Sequence, residues 1–338
     1  MELRQHLHTV SDWLNQGRKV ACAIVIQTWK SSPRQAGARL FVDDAYNVVG
    51  SVSAGCVETT VIEIAQDVIK TSIPQQLHFG VSNNDAISVG LACGGEIDIF
   101  VVCWQESLHS IISQLASKQT PFEIITNLDN GNHTILAENK TLYTDEPLQT
   151  HHAMNNYSRQ VIKPPPQVII VGGNHIAQAL SQLAHTLSYD VILIDPRTTF
   201  ANRVRFPQAT RIINQYPQKA LHNCRLDQQT ALVVLSHDPK FDDPALIHAL
   251  NNTIGYIGAL GSQRTQAQRN QRLHNQGFNS QDVERIHGPI GLDIGAKSPP
   301  EIALAIMAEI VQAMSQHTTS PSLTVHQVNM EAQHATNN

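Results

Sequence analysis

The sequence predicts an α/β protein of two domains, the second of which is a doubly wound parallel sheet. The chain has 338 residues, 41% of them hydrophobic, which is enough for about two ordinary cores. A polar stretch ends in three consecutive prolines at 164–166, which favours an extended connector. After the prolines the pattern runs strand, glycine turn, helix and strand, which is typical of a βαβ unit.

We therefore expect a first domain over 1–150, a linker over 151–166, a second domain over 167–315 and a mobile tail over 316–338. The chain carries 23 basic and 28 acidic residues without a basic run, which argues against a nucleic-acid partner. No segment resembles a signal peptide or a membrane span, so the expected location is the cytoplasm. The five cysteines are scattered without a Cys-x-x-Cys pair, which fits neither a disulfide framework nor a structural zinc site.

The first domain is predicted to combine strands with one clear helix. Short runs rich in Val, Ile and Phe predict strands at 20–29, 39–42 and 97–104, with weaker signals at 122–128 and 133–137. Apolar residues recur with helical spacing over 56–70, which predicts the helix.

A glycine loop delivers a cysteine to the start of that helix. The loop reads Gly-Ser-Val-Ser-Ala-Gly-Cys-Val-Glu over 50–58. Helix N-termini favour thiolate, so Cys56 is a candidate nucleophile or soft metal ligand. Gly50 and Gly55 allow a tight turn and close approach to a bound anion. Alternatively, Cys56 is a buried small hydrophobe in a plain turn, and an inward Glu58 would oppose a thiolate.

Other residues of this loop, Ser51 and Ser53, are candidate ligand-binding groups beside Cys56. A second glycine turn reads Gly-Leu-Ala-Cys-Gly-Gly-Glu over 90–96 and places Cys93 and Gly94 just before a predicted strand. The first domain thus offers two cysteines, each in a glycine loop.

The second domain is predicted from alternating buried strands and helices. Strands are expected at 168–171, 191–195, 231–235 and 254–260, and helices at 176–187, 242–251 and 302–314. The last helix should begin near Ser298-Pro-Pro-Glu, which combines a capping serine, first-turn prolines and a glutamate three positions on.

The turn after the first of these strands occupies the position of a dinucleotide fingerprint. It contains Gly172, Gly173, Asn174 and His175, and Asp195 follows about twenty residues on, where a ribose-binding acid is expected. Asn174 stands where a second glycine normally lets the backbone approach a pyrophosphate. The turn therefore either binds NAD, binds a different phosphorylated ligand, or only packs a strand against a helix.

Two more candidate groups follow later strands of the same sheet. Gly258, Gly261 and Ser262 precede Arg264, Arg269 and Arg272, a pattern that fits an anion site, whereas the arginines alone fit a solvated helix face. His237 and Asp238, with Asp242 close behind, could bind a metal or act as a base, although a lone histidine is more often structural.

Taken together, these motifs resemble the xanthine dehydrogenase accessory proteins of the XdhC/CoxI type. The resemblance rests on the 50–58 loop, Cys93-Gly-Gly95, the turn from Gly172 to Ala177, Asp195-Pro-Arg197, His237-Asp238 with Asp242, Tyr256-Ile-Gly-Ala-Leu-Gly-Ser262, and Pro289-Ile-Gly-Leu-Asp-Ile-Gly295 before the Glu301 helix. It implies an N-terminal domain that carries the cysteine loop and a C-terminal Rossmann-like domain. This sequence departs from the family pattern at Ala54, Asn174 and Gln263.

The resemblance implies a non-enzymatic chaperone of molybdenum cofactor, in the molybdopterin or the dinucleotide form. Such a protein would bind the cofactor, protect it while a cysteine desulfurase supplies the terminal sulfur, and pass it to a xanthine dehydrogenase-like enzyme, acting as a homodimer. Cys56 would contact molybdenum or the incoming sulfur, with Cys93 as second candidate. Glu58, the glycine-turn residues, Asp195, Arg197 and His237 would complete the cofactor site.

Two alternatives from other classes stay open. An NAD(P)-dependent oxidoreductase is motivated by Gly172 and Asp195, and it requires saturable nicotinamide binding. In a purely protein-binding scaffold both glycine loops would be structural, and replacing Cys56 by alanine would leave maturation of the client enzyme unchanged.

Overall fold

A computed structural model describes residues 2–29, 34–80, 95–145, 156–315 and 323–327. The chain divides into two compact units. The first, here unit 1, is Met1–Pro164 together with Ser320–Asn338, and the second, unit 2, is Pro165–Thr319. None of the described helices combines the length and apolar character needed to cross a bilayer.

Unit 1 contains three described helices and a five-stranded antiparallel sheet, here sheet A. The helices are α1 (Glu2–Asn15), α2 (Glu58–Thr71) and α3 (Glu106–Ser117). The strands are β1 (Val20–Trp29), β2 (Arg39–Asp43), β3 (Val48–Gly50), β4 (Gln75–Phe79) and β5 (Glu96–Cys103), in the order β3-β2-β1-β5-β4. The predicted strands of this region are present, whereas α1 and α3 were not predicted.

Alternation of side chains along β1 gives sheet A two apolar faces. Ala21, Ala23 and Val25 face α2 and form one core with it. Cys22 and Ile24 belong to the other core, which α1, α3 and a second sheet complete. Helix α1 contributes to that core through a stripe of apolar residues at helical spacing, Leu3, Leu7, Val10 and Trp13.

The second sheet of unit 1, sheet B, corrects two expectations. It comprises β6 (Phe122–Asn127), β7 (His133–Ala137), β8 (Lys140–Thr144), β9 (Asn156–Ile162) and, from the end of the chain, β16 (Leu323–Gln327). The strands are antiparallel in the order β16-β9-β6-β7-β8. Residues 156–162, predicted to be linker, and 323–327, predicted to be mobile tail, are therefore strands, because each gains backbone partners far away in the sequence.

The cysteine loop leaves sheet A at the end of β3. Strand β3 runs parallel to β1, since both pair antiparallel with β2. Strand β5 pairs antiparallel with β1 and begins opposite Trp29. The loop and the start of β5 therefore lie at the same end of sheet A.

Unit 2 is built on a six-stranded sheet in which all pairs are parallel. Its strands are β10 (Gln167–Val171), β11 (Asp190–Ile194), β12 (Arg211–Ile213), β13 (Thr230–Val234), β14 (Tyr256–Ala259) and β15 (Ile286–His287). Its helices are α4 (His175–Thr186), α5 (Pro217–Ala220), α6 (Pro239–Leu250), α7 (Gln263–Asn275), α8 (Ser280–Glu284) and α9 (Pro299–Ser315), with a 3₁₀ turn at Leu221–Asn223.

The strand order β12-β11-β10-β13-β14-β15 is that of a doubly wound dinucleotide-binding fold. Two apolar cores cover the sheet, one on the side of α4 and α9 and the other on the side of α6 and α7. This confirms the predicted Rossmann-like sheet. The order reverses between β10 and β13, and ligands of such sheets bind beyond the carboxyl ends of the strands at this switch point.

Candidate functional site

The glycine-cysteine loop is closed by the carboxylate of Glu58. Its Oε1 accepts hydrogen bonds from Ser51 Oγ at 2.8 Å, from the Val52 amide at 3.3 Å and from the Ser53 amide at 2.9 Å. Its Oε2 accepts from Ser53 Oγ and from the Gly55 amide, the latter at 2.8 Å. The first residue of α2 thus reaches back and ties down the loop that precedes it.

These contacts correct the expectation that the loop amides await a bound anion. The anion that they hold is the chain's own Glu58. Burial alone would raise the pKa of Glu58, but hydrogen bonds from Ser53, Ser51 and Gly55 outweigh it and lower the pKa to about 2. Glu58 therefore has the role of an internal brace for the loop.

Cys56 lies two residues before α2, not inside its first turn as predicted. Val57 is the N-cap residue of α2. Cys56 is half-buried against the core beneath α2, next to the exposed Ala54 and Gly55. Ala54 and Gly55 both have positive φ, 61° and 117°, so the chain turns sharply just before Cys56. Within the described part of the chain, no group hydrogen-bonds to the Cys56 thiol.

The second predicted cysteine turn, with Cys93 and Gly94, lies outside the described residues. Among the described residues there is no cluster of three or more His, Cys, Asp or Glu side chains that could hold a metal ion.

At the switch point of unit 2 the glycine turn is fixed by close packing. A Cβ at Gly172, where φ is 103°, would lie 2.8 Å from the backbone of Ser236, and a Cβ at Gly173 would lie 2.6 Å from the carbonyl oxygen of Phe200. Asn174 is the N-cap of α4, and its Oδ1 accepts from the Ala177 amide at 2.9 Å. Its Nδ2 donates to the Leu235 carbonyl at 2.8 Å, which joins the turn to the end of β13.

Asp195 is buried and fully engaged by protein donors. Oδ1 accepts from the Arg197 amide and Nε, both at 2.9 Å, and Oδ2 accepts from the Gly173 amide at 2.9 Å and from Arg197 Nη2 at 2.7 Å. Burial would raise the pKa of Asp195, but the Arg197 and Gly173 hydrogen bonds lower it. Because a carboxylate offers about four acceptor positions, none is left here for a ribose hydroxyl.

The loop after β13 places His237 and Asp238 at the same edge in different settings. His237 is exposed with a positive φ of 58°. Asp238 caps α6 by accepting from the Lys240 amide at 3.0 Å. Asp242 is buried instead, accepts from Ser236 Oγ at 2.5 Å and lies 3.9 Å from Arg269 Nη2; burial raises its pKa despite these partners.

The third glycine group is largely explained by packing. Gly258 lies within β14, where a Cβ would collide with Ile290. Gly261 precedes α7, and Ser262 is the N-cap of that helix, accepting from the Thr265 amide at 3.2 Å. Of the three arginines that follow, only Arg264 is exposed, so the solvated-face alternative holds for that residue alone.

The other two arginines of α7 both have partners within the protein. Arg269 is 2% exposed and donates to the Leu260 carbonyl at 2.8 Å. Arg272 forms a bidentate ion pair with Asp243 of α6, in which Nε donates to Oδ2 at 2.6 Å and Nη2 donates to Oδ1 at 2.9 Å. Both hold α7 against its neighbours, and neither points to an anion from solution.

Sequence reasoning missed a hydrogen-bond network at the β14–β15 edge of the parallel sheet. Glu309 of α9 accepts from Tyr256 Oη at 2.6 Å, from His287 Nδ1 at 2.9 Å and from the Gly291 amide at 2.6 Å. Burial would raise the pKa of Glu309, but these donors lower it. The signal was a lone acid in the middle of an apolar helix.

The described candidate residues therefore form three groups, each within one unit. The 50–58 loop surrounds Cys56 in unit 1. In unit 2 the glycine turn, Asp195, Arg197 and the 236–242 loop meet at the switch point, where His175 is exposed as the first residue of α4. The Gly258–Ser262 group follows the neighbouring strand.

Comparison with known proteins assigns the chain to a family. Residues 13–80 match the model of the XdhC and CoxI family, and residues 168–310 match the model of the XdhC Rossmann domain. Together the two models cover more than half of the chain and both of its units. The chain belongs to the XdhC/CoxI family.

Two curated relatives of this XdhC/CoxI protein span nearly its whole length. A Bacillus subtilis (strain 168) protein, named as a probable subunit of xanthine dehydrogenase, is 27% identical over 332 residues, covering 91% of this chain and 97% of the relative. The molybdenum cofactor insertion chaperone PaoD of Escherichia coli (strain K12) is 25% identical over 300 residues, covering 88% and 84%.

The fold of the XdhC/CoxI protein also matches a crystal structure. A Bacillus halodurans protein described as a xanthine dehydrogenase superposes with a TM-score of 0.78 at 22% identity, covering 95% of this chain and 98% of that one. At this level of identity the match supports the fold.

Proposed function

We propose that this protein is a molybdenum cofactor insertion chaperone that serves a xanthine dehydrogenase-like enzyme. The observation that carries the proposal is a thiol, Cys56, presented on a braced loop in a member of the XdhC/CoxI family. The names of the two curated relatives, an insertion chaperone and a xanthine dehydrogenase component, support the same function.

Cys56 suits a cargo whose metal is already bound to its pterin. A thiolate is a soft ligand that can occupy one position on such a metal, so a full protein-built ligand set is not needed. The loop is already fixed by its hydrogen bonds to Glu58. Cys56 can therefore present its sulfur without the loop having to become ordered on binding.

The proposal has several finer parts. The protein would shelter the cofactor, as molybdopterin or its dinucleotide form, while a cysteine desulfurase supplies the terminal sulfur, and Cys93 would assist Cys56. It would work in the cytoplasm as a homodimer. The switch-point residues of unit 2, chiefly His175, His237 and Ser262, would meet the phosphates of the cargo, since Asp195 and Asn174 are already engaged.

The rival oxidoreductase needs a nicotinamide cofactor at the switch point. The strand order favours a nucleotide there, but Asp195 would have to release Arg197 before it could bind a ribose. Asn174 also uses its side chain to cap α4 where a glycine would leave room. The geometry therefore supports the chaperone better.

Reconstitution of the client enzyme tests the proposal. A cofactor-free xanthine dehydrogenase-like enzyme is mixed with the chain purified from a cofactor-producing host, and recovery of client activity is followed. The parent should restore activity, and Cys56→Ser should restore little. Cys103→Ala, which removes a half-buried thiol of the same unit, is the matched control. Equal recovery with the parent and with buffer alone would refute the chaperone function.

A further inference from the structure

Unit 2 contains a cleft that shares only His175 with the switch point. The cleft has a volume of about 640 Å³ and lies between α4, the 204–208 segment and the start of α9. His175, Gln178 and Gln182 line it from α4, and Arg205 and Gln208 line it from the opposite wall. The glycine turn, Asn174, Asp195 and His237 do not line it, so the cleft adjoins the switch point through His175 alone.

The polar side chains that line the cleft are basic or neutral. Its described residues supply a guanidinium, an imidazole and three carboxamides, and no carboxylate. The segment 196–211, which supplies one wall, contains four arginines and no Asp or Glu. The field in the cleft therefore favours an anion.

Arg205 is held in place by neighbouring side chains, and two of its guanidinium nitrogens stay available to a ligand. Its guanidinium lies 5.5 Å from the centre of the Phe200 ring, and its Nη2 donates to Gln178 Oε1 at 3.2 Å. Gln178 Nε2 donates back to the Arg205 carbonyl at 3.2 Å, which fixes the two walls to each other. Within the described part of the chain, Nε and Nη1 of Arg205 have no hydrogen-bond partner, and the side chain forms no ion pair. A prepositioned guanidinium of this kind suits a phosphate group.

The size and rim of the cleft indicate more than a free phosphate ion. Its volume falls within the range of roughly 300–1,000 Å³ that is typical of pockets for organic ligands. Val204 lies at the rim and is 92% exposed, and two prolines at the start of α9 also line the cleft. These apolar surfaces can contact the organic part of a ligand while Arg205 meets the phosphate.

We infer that this cleft binds a phosphorylated small organic molecule, with Arg205 as its phosphate-binding residue. His175 contributes a further donor, and the carboxamides of Gln178, Gln182 and Gln208 bind the polar edges of the ligand. The inference does not depend on the chaperone function, since Cys56, Asn174 and Asp195 do not line the cleft and His175 is the one residue that the two proposed sites share.

Calorimetric titration of the full chain tests the inference with three probes: adenosine 5′-monophosphate, inorganic pyrophosphate and uncharged adenosine. The monophosphate should bind saturably, and adenosine should bind at least tenfold more weakly. Tighter binding of pyrophosphate than of the monophosphate would overturn the organic part of the inference. Absence of saturable binding by both phosphates, or binding only of an acidic peptide such as oligoglutamate, would overturn it entirely.

Two pairs of variants locate the site. Arg205→Gln should weaken the monophosphate at least tenfold, whereas Arg211→Gln, which removes an exposed arginine of the same segment outside the lining, should change it less than twofold. Gln182→Glu adds a carboxylate to the cleft with little change of shape and should also weaken binding at least tenfold. Gln268→Glu makes the same charge change on an exposed site of α7 and should have no effect.

Thermal unfolding of each variant separates loss of the site from loss of the fold. Gln182→Glu is decisive, because the parent side chain makes no hydrogen bond to any residue that the structure describes, and the change can still abolish binding. Parent-like binding by both Arg205→Gln and Gln182→Glu would overturn the assignment of the cleft. Molybdenum retention by these variants should equal that of the parent, so failure here and failure of the chaperone function are distinguishable.

Discussion

The carboxylate of Glu58 accepts a hydrogen bond from the backbone amide of Gly55 at 2.8 Å, so that the two residues flanking Cys56 and Val57 are joined directly. Three further donors from Ser51 and Ser53 converge on the same carboxylate. The cysteine loop is thus shaped by contacts within nine residues of sequence. Its geometry can be tested one residue at a time.

Replacing Glu58 by glutamine should destabilise unit 1. A glutamine Nε2 cannot accept, so the donors that now bind Oε2 lose their partner, at a cost of about 1–3 kcal/mol for a buried donor. All three tryptophans, Trp13, Trp29 and Trp104, lie in unit 1, so tryptophan fluorescence during urea unfolding reports this unit. Glu63→Gln, at an exposed site of the same helix, should change the free energy of unfolding by less than about 0.5 kcal/mol.

The same contact predicts a loss of stability in acid. The pKa of Glu58 is about 2 in the folded chain and 4.5 ordinarily, so its contribution is complete above pH 4.5 and is lost as the pH falls toward 2. Tryptophan-monitored unfolding from about pH 6 to about pH 2.5 should show the midpoint falling in this window. Glu58→Gln should show a smaller fall; an equal fall in both proteins would assign the acid sensitivity to other groups.

The engagement of Asp195 by Arg197 predicts weak affinity for nicotinamide cofactors. Titration with NADH, followed by its fluorescence, should give no saturable binding to the parent. Arg197→Met combined with Asn174→Gly removes two donors from Asp195 and restores the fingerprint glycine, so this double variant should gain binding. Saturable binding to the parent would revive the oxidoreductase, and a double variant without binding would show that another feature excludes the cofactor.

Helix α7 offers a comparison of a buried and an exposed arginine. Arg269→Gln removes one partner of the buried contact with Asp242 and should destabilise unit 2 by about 3–5 kcal/mol. Arg264→Gln, at an exposed position of the same helix, should cost less than about 0.5 kcal/mol. Hydrogen exchange of peptides from β13 and β14 measures unit 2 separately. Equal protection in the two variants would contradict the assigned role of Arg269.

Much of the fold could be predicted because short stretches of sequence determine most of its strands and helices. The strands β10, β11 and β13 are continuous apolar runs between turn signals, and their burial on both faces explains that pattern. The strands β9 and β16 could not be found in this way. Ser158 and Gln160 of β9 point inward as polar residues, and β16 pairs with β9 across more than 160 residues.

The candidate site could likewise be predicted only in part. Sequence reasoning selected Cys56 and Asp195, because glycine turns and strand ends mark them, and it reached Arg197 through the family resemblance. It did not reveal that Glu58 accepts hydrogen bonds from the loop amides, or that Arg197 donates to the carboxylate of Asp195. Both contacts occupy groups that were expected to bind a ligand, and both depend on side-chain direction. The cleft around Arg205 was also missed, although four arginines without an acid over 196–211 were a visible signal.

The most direct test of the chaperone function is the molybdenum and pterin content of the purified chain. The protein is isolated from a cofactor-producing host, molybdenum is measured by mass spectrometry, and the pterin by its fluorescence after oxidation. We expect the parent and Cys103→Ala to retain both and Cys56→Ala to lose both. Absence of molybdenum and pterin from the parent, even after incubation with released cofactor, would contradict the proposed function, and retention by Cys56→Ala would contradict the role of Cys56.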